Sequence, residues 1–561
     1  MVFDNDYIAE QFSLLSKLMD IHGENSFKTK SYAIAAFTIE RFPDQLSGIP
    51  SDKIFSIKGI GDAIGKKIIE IGETGELRLL KEYIQNTPPG VIEMLNIKGL
   101  GPKKIATVWK EMEIESVGEL LYACNENRLL LYKGFGEKTQ KNIKETIEFY
   151  LRNQGSYLYA EAEGFATAID QKLKQNFPGE KFEATGEYRR QIEIINQLEW
   201  VTTVDPTNLL AFLEKEGYST QPASEAGKII FKGPENIALC FHLTDQTGFS
   251  GRLFKTSSGN EFLQAWELAF GEEESMIYPS EEEIFSSKNV NFIPSYLREK
   301  PSIIERAKQP LARTIQKEDI KGIIHSHSNW SDGSNSLEEM VRACIEKGYE
   351  YLVISDHSKS AFYANGLVED RIKEQHQAID ELNTQFSPFK VFKGIECDIL
   401  NDGNLDYSAN ILSTFDLVIT SIHSNLKMSI DKAMLRLIGA IENPYTTILG
   451  HMTGRLLLSR PGYPVDHQKI IHACAANQVV IELNAHPRRL DIDWRWIEYA
   501  LEKEVMISID PDAHSIGGYK DIKYGVLVAQ KAGITKESNL SSKTLLQLET
   551  FIKERKKVKG I

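Results

Sequence analysis

GIIH (322–325), YLVIS (351–355), VFKGIE (391–396), DLVITSIH (416–423), TTILGH (446–451), VVIELNAH (479–486) and VMISIDPDAH (505–514) are seven strand-like runs, each ending at or just before a histidine or carboxylate. Amphipathic helical stretches separate them, which predicts parallel strands joined by crossover helices. In a β/α barrel the loops at the C-terminal strand ends converge, so one site should assemble there. Six of the 12 histidines lie at these ends, namely His325, His327, His357, His423, His451 and His514, with Asp332, Glu396 and Asp512 at matching places. In HSH, two imidazoles one residue apart face the same side of an extended strand and can serve one metal. A lone histidine is more often a packing or surface residue, but six in this phase are not a chance scatter. His376, His467, His472 and His486 fall outside the phase and are read as surface or packing residues.

HSHSNWSDGS (325–334), ISDHSKS (354–360), GIECDI (394–399), SIHSN (421–425), GH (450–451) and DPDAH (510–514) stand where the motifs of the PHP (polymerase and histidinol phosphatase) family stand. The last third of the chain therefore resembles that family. The resemblance implies a distorted seven-stranded (β/α)7 barrel with up to three divalent ions at its mouth. It gives His325, His327, Glu396 and Asp512 to a first ion. Glu396, His423 and His451 go to a second, with Glu396 bridging, and Asp332, His357 and His514 to a third. Glu396, Asp512 and His357 are the expected catalytic side chains. Mixed imidazole and carboxylate donors suit Zn²⁺ or Mn²⁺ without selecting between them. Paired divalent ions acidify water and neutralise phosphoryl oxygens, so phosphoester hydrolysis follows. Lys359, Arg455, Arg460 and Arg489 are loop cations suited to clamping a phosphate, with ordinary salt bridges as the alternative.

Residues 1–150 read as helices, with apolar positions three and four apart in YIAEQFSLLSKLM and ELRLLKEYI. One phrase recurs three times: IKGIGDAIGKKI (57–68), IKGLGPKKIATV (97–108) and YKGFGEKTQKNI (132–143). The glycine pairs Gly59/Gly61, Gly99/Gly101 and Gly134/Gly136 each end one helix and open the next, and lysines such as Lys67 and Lys103 follow. Glycines at a helix N-terminus expose backbone N–H groups to an anion, and lysines suit a phosphodiester chain. This is the helix-hairpin-helix pattern, which binds DNA regardless of sequence. One copy alone would be equally well read as a tight turn beside solvated lysines; three copies favour DNA.

Residues 151–305 mix β-like runs such as KIIFKG and IALCFHL with helices, predicting an α+β domain. The polar stretch 306–320 reads as a linker, and the barrel domain follows over 321–561. The order of parts resembles the bacterial family X DNA polymerases over essentially the whole chain. GEYRRQIEIINQLEW (186–200) aligns with their palm motif, keeping Gly186, Arg189, Arg190 and Glu193. That implies a nucleotidyltransferase-like middle. The carboxylates that would hold two Mg²⁺ ions are missing, however: Gln197 and Glu199 occupy two of the positions and Ala238 the third. Glu187 also puts a negative charge where a triphosphate should sit. Polymerase activity is therefore expected to be lost; in an alternative register, Glu193 and Glu199 form a different metal site. By the same resemblance, Lys28, Lys30 and Tyr32 meet a 5′-phosphate at a gap. Lys67 falls where animal relatives place a lysine that opens abasic sugars, although phosphate contact is the role read here.

A net charge of -14 argues against a protein coated in positive charge, so any DNA contact must be local. The 42% hydrophobic and 26% charged composition is that of a globular multidomain protein. The five cysteines show no pairing pattern, and no signal peptide or long apolar run occurs, predicting a cytoplasmic protein with no membrane partner. The expected function is 3′-end, exonucleolytic or abasic-site processing of gapped or nicked DNA. A small-molecule phosphomonoesterase and a non-catalytic DNA-binding scaffold are the rivals.

Overall fold

In the computed structural model, residues 5–40, 42, 45–57, 60–152, 155–222, 227–233, 236–271 and 277–561 are described. Their contacts divide the chain into two compact units, Met1–Asn125 with Leu129–Leu151, and Glu126–Arg128 with Arg152–Ile561. None of the described helices is long and apolar enough to cross a membrane.

The first unit is helical, and its described residues contain no strand. Its core is aliphatic, with Leu15, Ile39, Ile105, Val108 and Leu120 fully enclosed. The three hairpins share one turn: the N–H groups of Ile60, Leu100 and Phe135 donate to the carbonyls of Ile57, Ile97 and Tyr132 at 3.0–3.1 Å. These donor residues are buried, which anchors each hairpin by its middle residue. Gly99 and Gly134 have φ of +90° and +97°, a region that strains any side chain. Gly61 and Gly101 are extended and start the helices Asp62–Thr74 and Pro102–Lys110. Gly136 accepts from the N–H of Gln140 at 3.0 Å in the same way. Gly59 lies outside the described residues.

Besides a two-stranded ribbon that pairs Tyr157–Leu158 with Ile194–Ile195, the second unit holds two larger sheets. The first comprises β1 (Phe182–Thr185), β2 (Gln197–Thr202), β3 (Ser219–Gln221), β4 (Lys228–Lys232) and β5 (Ala238–Leu243), in the order β1-β2-β5-β4-β3. Only β2 and β5 run parallel, with Gln197 opposite Ala238, Glu199 opposite Cys240 and Val201 opposite His242. Trp200 and Phe241 alternate to the other face and stack in its core.

The second sheet is the barrel: β6 (Gly322–Ser326), β7 (Tyr351–Ile354), β8 (Lys390–Asp398), β9 (Leu417–Ser421), β10 (Ile448–Leu449), β11 (Val480–Asn484) and β12 (Ile507–Asp510). All seven are parallel and neighbour one another in chain order. β6, β7, β9 and β11 are buried at every position, as parallel strands covered on both faces must be. At the rim the N–H of His327 donates to Ala513 at 2.9 Å, joining the ends of β6 and β12 and nearly closing the barrel.

The stretch 306–320, expected to be a linker, is packed. Ile315 and Ile320 enter the barrel core, and the N–H of Ile315 donates to Ile534 at 2.8 Å. Palm-motif charges serve packing as well: Glu193 accepts from Trp494 Nε1 at 3.2 Å and Arg495 at 3.0 Å, and Arg190 pairs with Glu299 at 3.0 Å.

Candidate metal centre

Nine side chains from the strand ends converge on the barrel mouth, and Glu396 is their hub. Its Oε1 lies 3.3 Å from His325 Nε2, 3.1 Å from His423 Nε2 and 3.0 Å from His451 Nε2. Its Oε2 lies 2.9 Å from His357 Nδ1 and 3.6 Å from His327 Nε2. Asp512 Oδ1 sits 3.4 Å from His325 Nε2 and 3.2 Å from His327 Nε2. Asp332 faces His357 and His514 at 3.6 and 3.5 Å. Four groupings bring ligand atoms within 4.8 Å of one another: His327/Asp332/His357/His514, His325/His327/Asp512, His325/Glu396/His451 and His357/Glu396/His423.

These donors fit divalent cations. His325 Nε2, both ring nitrogens of His327 and of His357, His514 Nε2, Asp332 Oδ2 and Glu396 Oε2 are buried without a hydrogen-bond partner. Buried polar atoms are nearly always paired, and so many orphans facing one point mark a place for cations. The local field agrees. Burial opposes ionisation of Glu396, yet His423, His325 and His357 outweigh it and hold the carboxyl well below its usual range. Burial likewise disfavours a charged His423, but Glu396 and Asp398 overcome it and raise the imidazole to about 10. His327 goes the other way, to about 3, through burial and the neighbouring His514 and His357. The carboxylates draw positive charge into the site, which a metal ion supplies by displacing protons.

The geometry is less regular than the sequence pattern implies. His325 has φ of +58° and lies in a register shift between β6 and β7, so the extended-strand account of HSH does not hold there. The two rings nevertheless meet, with centroids 5.3 Å apart. Asp512 is also left-handed, at φ +52°. Such backbone conformations cost of order 1–3 kcal/mol for a non-glycine residue and persist where surrounding structure enforces them.

Several residues that orient the cluster were invisible to sequence reasoning. Glu482 accepts from His325 Nδ1 and from the His451 N–H. Asp398 Oδ1 lies 2.6 Å from His423 Nδ1, and Asn484 Nδ2 donates to Asp512 at 3.0 Å. Asp356 accepts from Ser328, Ser331 and Gln375 and so fixes the NWSD loop. Glu126, which belongs to the second unit, sets Oε2 3.1 Å from His514 Nε2. The alternation of β11 would have offered Glu482 as inward-facing, but not its partner.

The four loop cations separate. Arg489 is buried with Nε 3.5 Å from Asp512 Oδ2. Lys359 pairs with Glu369 at 2.7 Å, Arg455 with Asp493 at 2.5 Å, and Arg460 donates to the Gly454 carbonyl at 2.9 Å. Outside the cluster, His376, His467 and His472 lie against Phe415, Trp496 and Tyr499, while His486 Nδ1 accepts from the Arg488 N–H.

In the first unit, Lys103 and Lys28 are exposed and Lys67 is partly so. Lys28 lies 3.5 Å from Glu24. A Cβ built on Gly61, Gly99, Gly101, Gly134 or Gly136 would meet only open space.

Comparison with known proteins agrees with this anatomy. Residues 3–77 match a helix-hairpin-helix domain, 91–148 a SAM-like helix-hairpin-helix tandem, and 324–486 a PHP domain. A DNA polymerase/3'-5' exonuclease PolX from Bacillus subtilis is 32% identical over 97% of this chain and 99% of its own. A probable phosphatase from Thermoanaerobacter sp. is 27% identical over 42% of this chain and 96% of its own. Another, from Caldicellulosiruptor bescii, is 29% identical over 27% of this chain and 59% of its own. With its hairpin helices, middle sheet and barrel in that order and full-length likeness to the Bacillus protein, the chain belongs to the bacterial family X DNA polymerases that carry a C-terminal PHP domain.

Proposed function

We propose that this protein is a DNA-directed, metal-dependent phosphoester hydrolase that processes 3′ ends, carried in a polymerase architecture whose nucleotidyl-transfer site is inactive. The observation that carries this reading is the convergence of five imidazoles on the buried Glu396, with ring nitrogens left unpaired around it. His325, His327, Glu396 and Asp512 would hold one ion, Glu396, His423 and His451 a second, and Asp332, His357 and His514 a third. Bound there, Mn²⁺ or Zn²⁺ would supply Lewis acidity toward phosphoryl oxygens and water.

The chain's own residues do the positioning. Glu482 and Asp398 engage the Nδ1 atoms of His325 and His423, which keeps their Nε2 atoms directed at Glu396. Arg489 offsets the charge of Asp512 and is the one of the four loop cations that stands at the cluster, so we assign it the phosphate contact. DNA as substrate is supported by the hairpin glycines Gly61, Gly99, Gly101, Gly134 and Gly136, which face open space ahead of lysines in the sequence. Gapped, nicked or 3′-ended DNA, bound without sequence preference in the bacterial cytoplasm, fits this arrangement. Loss of polymerase activity is supported by Gln197 and Ala238 side by side where carboxylates are needed.

The test is manganese-dependent cleavage of an end-labelled primer on gapped DNA by wild type, His325→Ala and Lys103→Glu. We expect trimming by wild type, none by His325→Ala, and a raised KM for Lys103→Glu. A second reading, a small-molecule phosphomonoesterase, is favoured by the probable phosphatases that match 42% and 27% of this chain. If wild type leaves DNA intact but hydrolyses a phosphomonoester as fast as Lys103→Glu does, that reading replaces ours.

A further inference from the structure

The face of the middle sheet that should carry polymerase carboxylates holds a different set of donors. Glu199 on β2 and Cys240 and His242 on β5 share one face, because Glu199 is opposite Cys240 and His242 is two residues further on. His242 Nε2 lies 2.7 Å from Glu199 Oε2 and 3.8 Å from Cys240 Sγ. One donor atom from each residue lies within 4.8 Å of the other two. Cys240 and His242 are each 2% exposed, whereas the Glu199 side chain is 12% exposed and leaves a way in. Gly186 clears the space: at φ +64°, a Cβ there would stand 2.0 Å from Glu199 Oε1.

His242 Nε2, the nitrogen that reaches Glu199 and Cys240, is the one that would ligate. A metal between these atoms would have to replace the direct contact of His242 with Glu199 and spread the donors. A tetrahedral zinc with bonds of about 2.3 Å to sulfur and 2.0 Å to nitrogen and oxygen separates S from N by about 3.5 Å and N from O by about 3.3 Å. Small side-chain adjustments reach both.

We propose that Glu199, Cys240 and His242 bind one thiophilic divalent cation of the zinc class, with solvent on the Glu199 side completing the shell. On binding, the Cys240 S–H breaks, its electron pair forms the metal–sulfur bond, and the proton leaves to solvent; Glu199 enters as carboxylate and His242 as neutral imidazole. Thiolate and imidazole donors select against Mg²⁺, so the face suited by descent to Mg²⁺ is re-equipped for a softer ion. The cation ties β2 to β5 and is independent of the barrel hydrolase.

Full-length protein stripped with chelator and reloaded with Co²⁺ tests this, because the barrel cluster offers only nitrogen and oxygen donors. Wild type should show near-ultraviolet thiolate-to-cobalt absorption, displaced by Zn²⁺, and Cys240→Ser should lose that band and bind about one equivalent less metal. His242→Gln should weaken binding at the same band, and both variants should keep phosphoester hydrolysis. No thiolate band in wild type, or a band and stoichiometry unchanged in Cys240→Ser, overturns the proposal. Should the variants lose hydrolysis together with the band through misfolding, X-ray absorption on zinc-loaded wild type decides. Sulfur at about 2.3 Å supports the site, and a shell of light atoms alone refutes it.

Discussion

The barrel and the middle sheet of the second unit each bring polar side chains together from neighbouring parallel strands, yet they differ in what surrounds those side chains. In the barrel, several ligands have a partner behind them, as Glu482 stands behind His325, Asp398 behind His423 and Asn484 beside Asp512. In the middle sheet, Gln197 and Ala238 face each other without a carboxylate between them, and Glu199 is tied to His242. Charges of the palm motif have gone to packing: Arg189 pairs with Glu281 at 2.6 Å and Glu193 is engaged by Trp494 and Arg495. A ligand keeps its geometry through the residues behind it, whereas a sheet keeps its fold through its hydrophobic faces.

The largest break in the comparison would be primer extension. Wild type should incorporate no nucleotide on a primed template with Mg²⁺ or Mn²⁺, and measurable extension would mean that Glu199 and its neighbours still perform transfer. Next comes the support behind the barrel ligands. Glu482→Gln keeps the shape but removes the charge behind His325, and metal affinity measured by competition with a chromophoric chelator should fall about 10- to 100-fold. An unchanged affinity would show that the buried ligands hold their geometry unaided.

The smallest effect sharpens the electrostatic side. With its imidazole raised to about 10, His423 in the metal-free protein is protonated at pH 7.5 and must give up that proton to become a ligand. Loading apo-protein with Zn²⁺ in weak buffer should therefore release protons, seen with an indicator dye, with less release as the starting pH rises toward 10. Release that is absent at pH 7.5 would mean that the carboxylates do not charge the site.

Much of this was legible beforehand because β-strands repeat every two residues and their ends recur at crossover spacing, so the seven runs and their histidines announce a barrel. The hairpins were equally legible, since Gly99 and Gly134 need conformations that side chains strain. Other features were hidden. The stretch 306–320 looked like a linker because composition averages over Ile315 and Ile320, whose burial depends on a groove made elsewhere. HSH looked regular because alternation carries no sign of the left-handed turn at His325.

By itself, then, the sequence determined the chemistry available: imidazoles and carboxylates in strand phase, glycine hairpins before lysines, and missing carboxylates in the palm motif. Only the tertiary structure decided how those groups are used. It set Arg489 beside Asp512, placed Glu482 behind a histidine 157 residues away, and set Glu199 against His242 from a strand 43 residues on. The physical reason is that periodicity reports which way a side chain points, while its charge state and partners depend on contacts between segments distant in the chain.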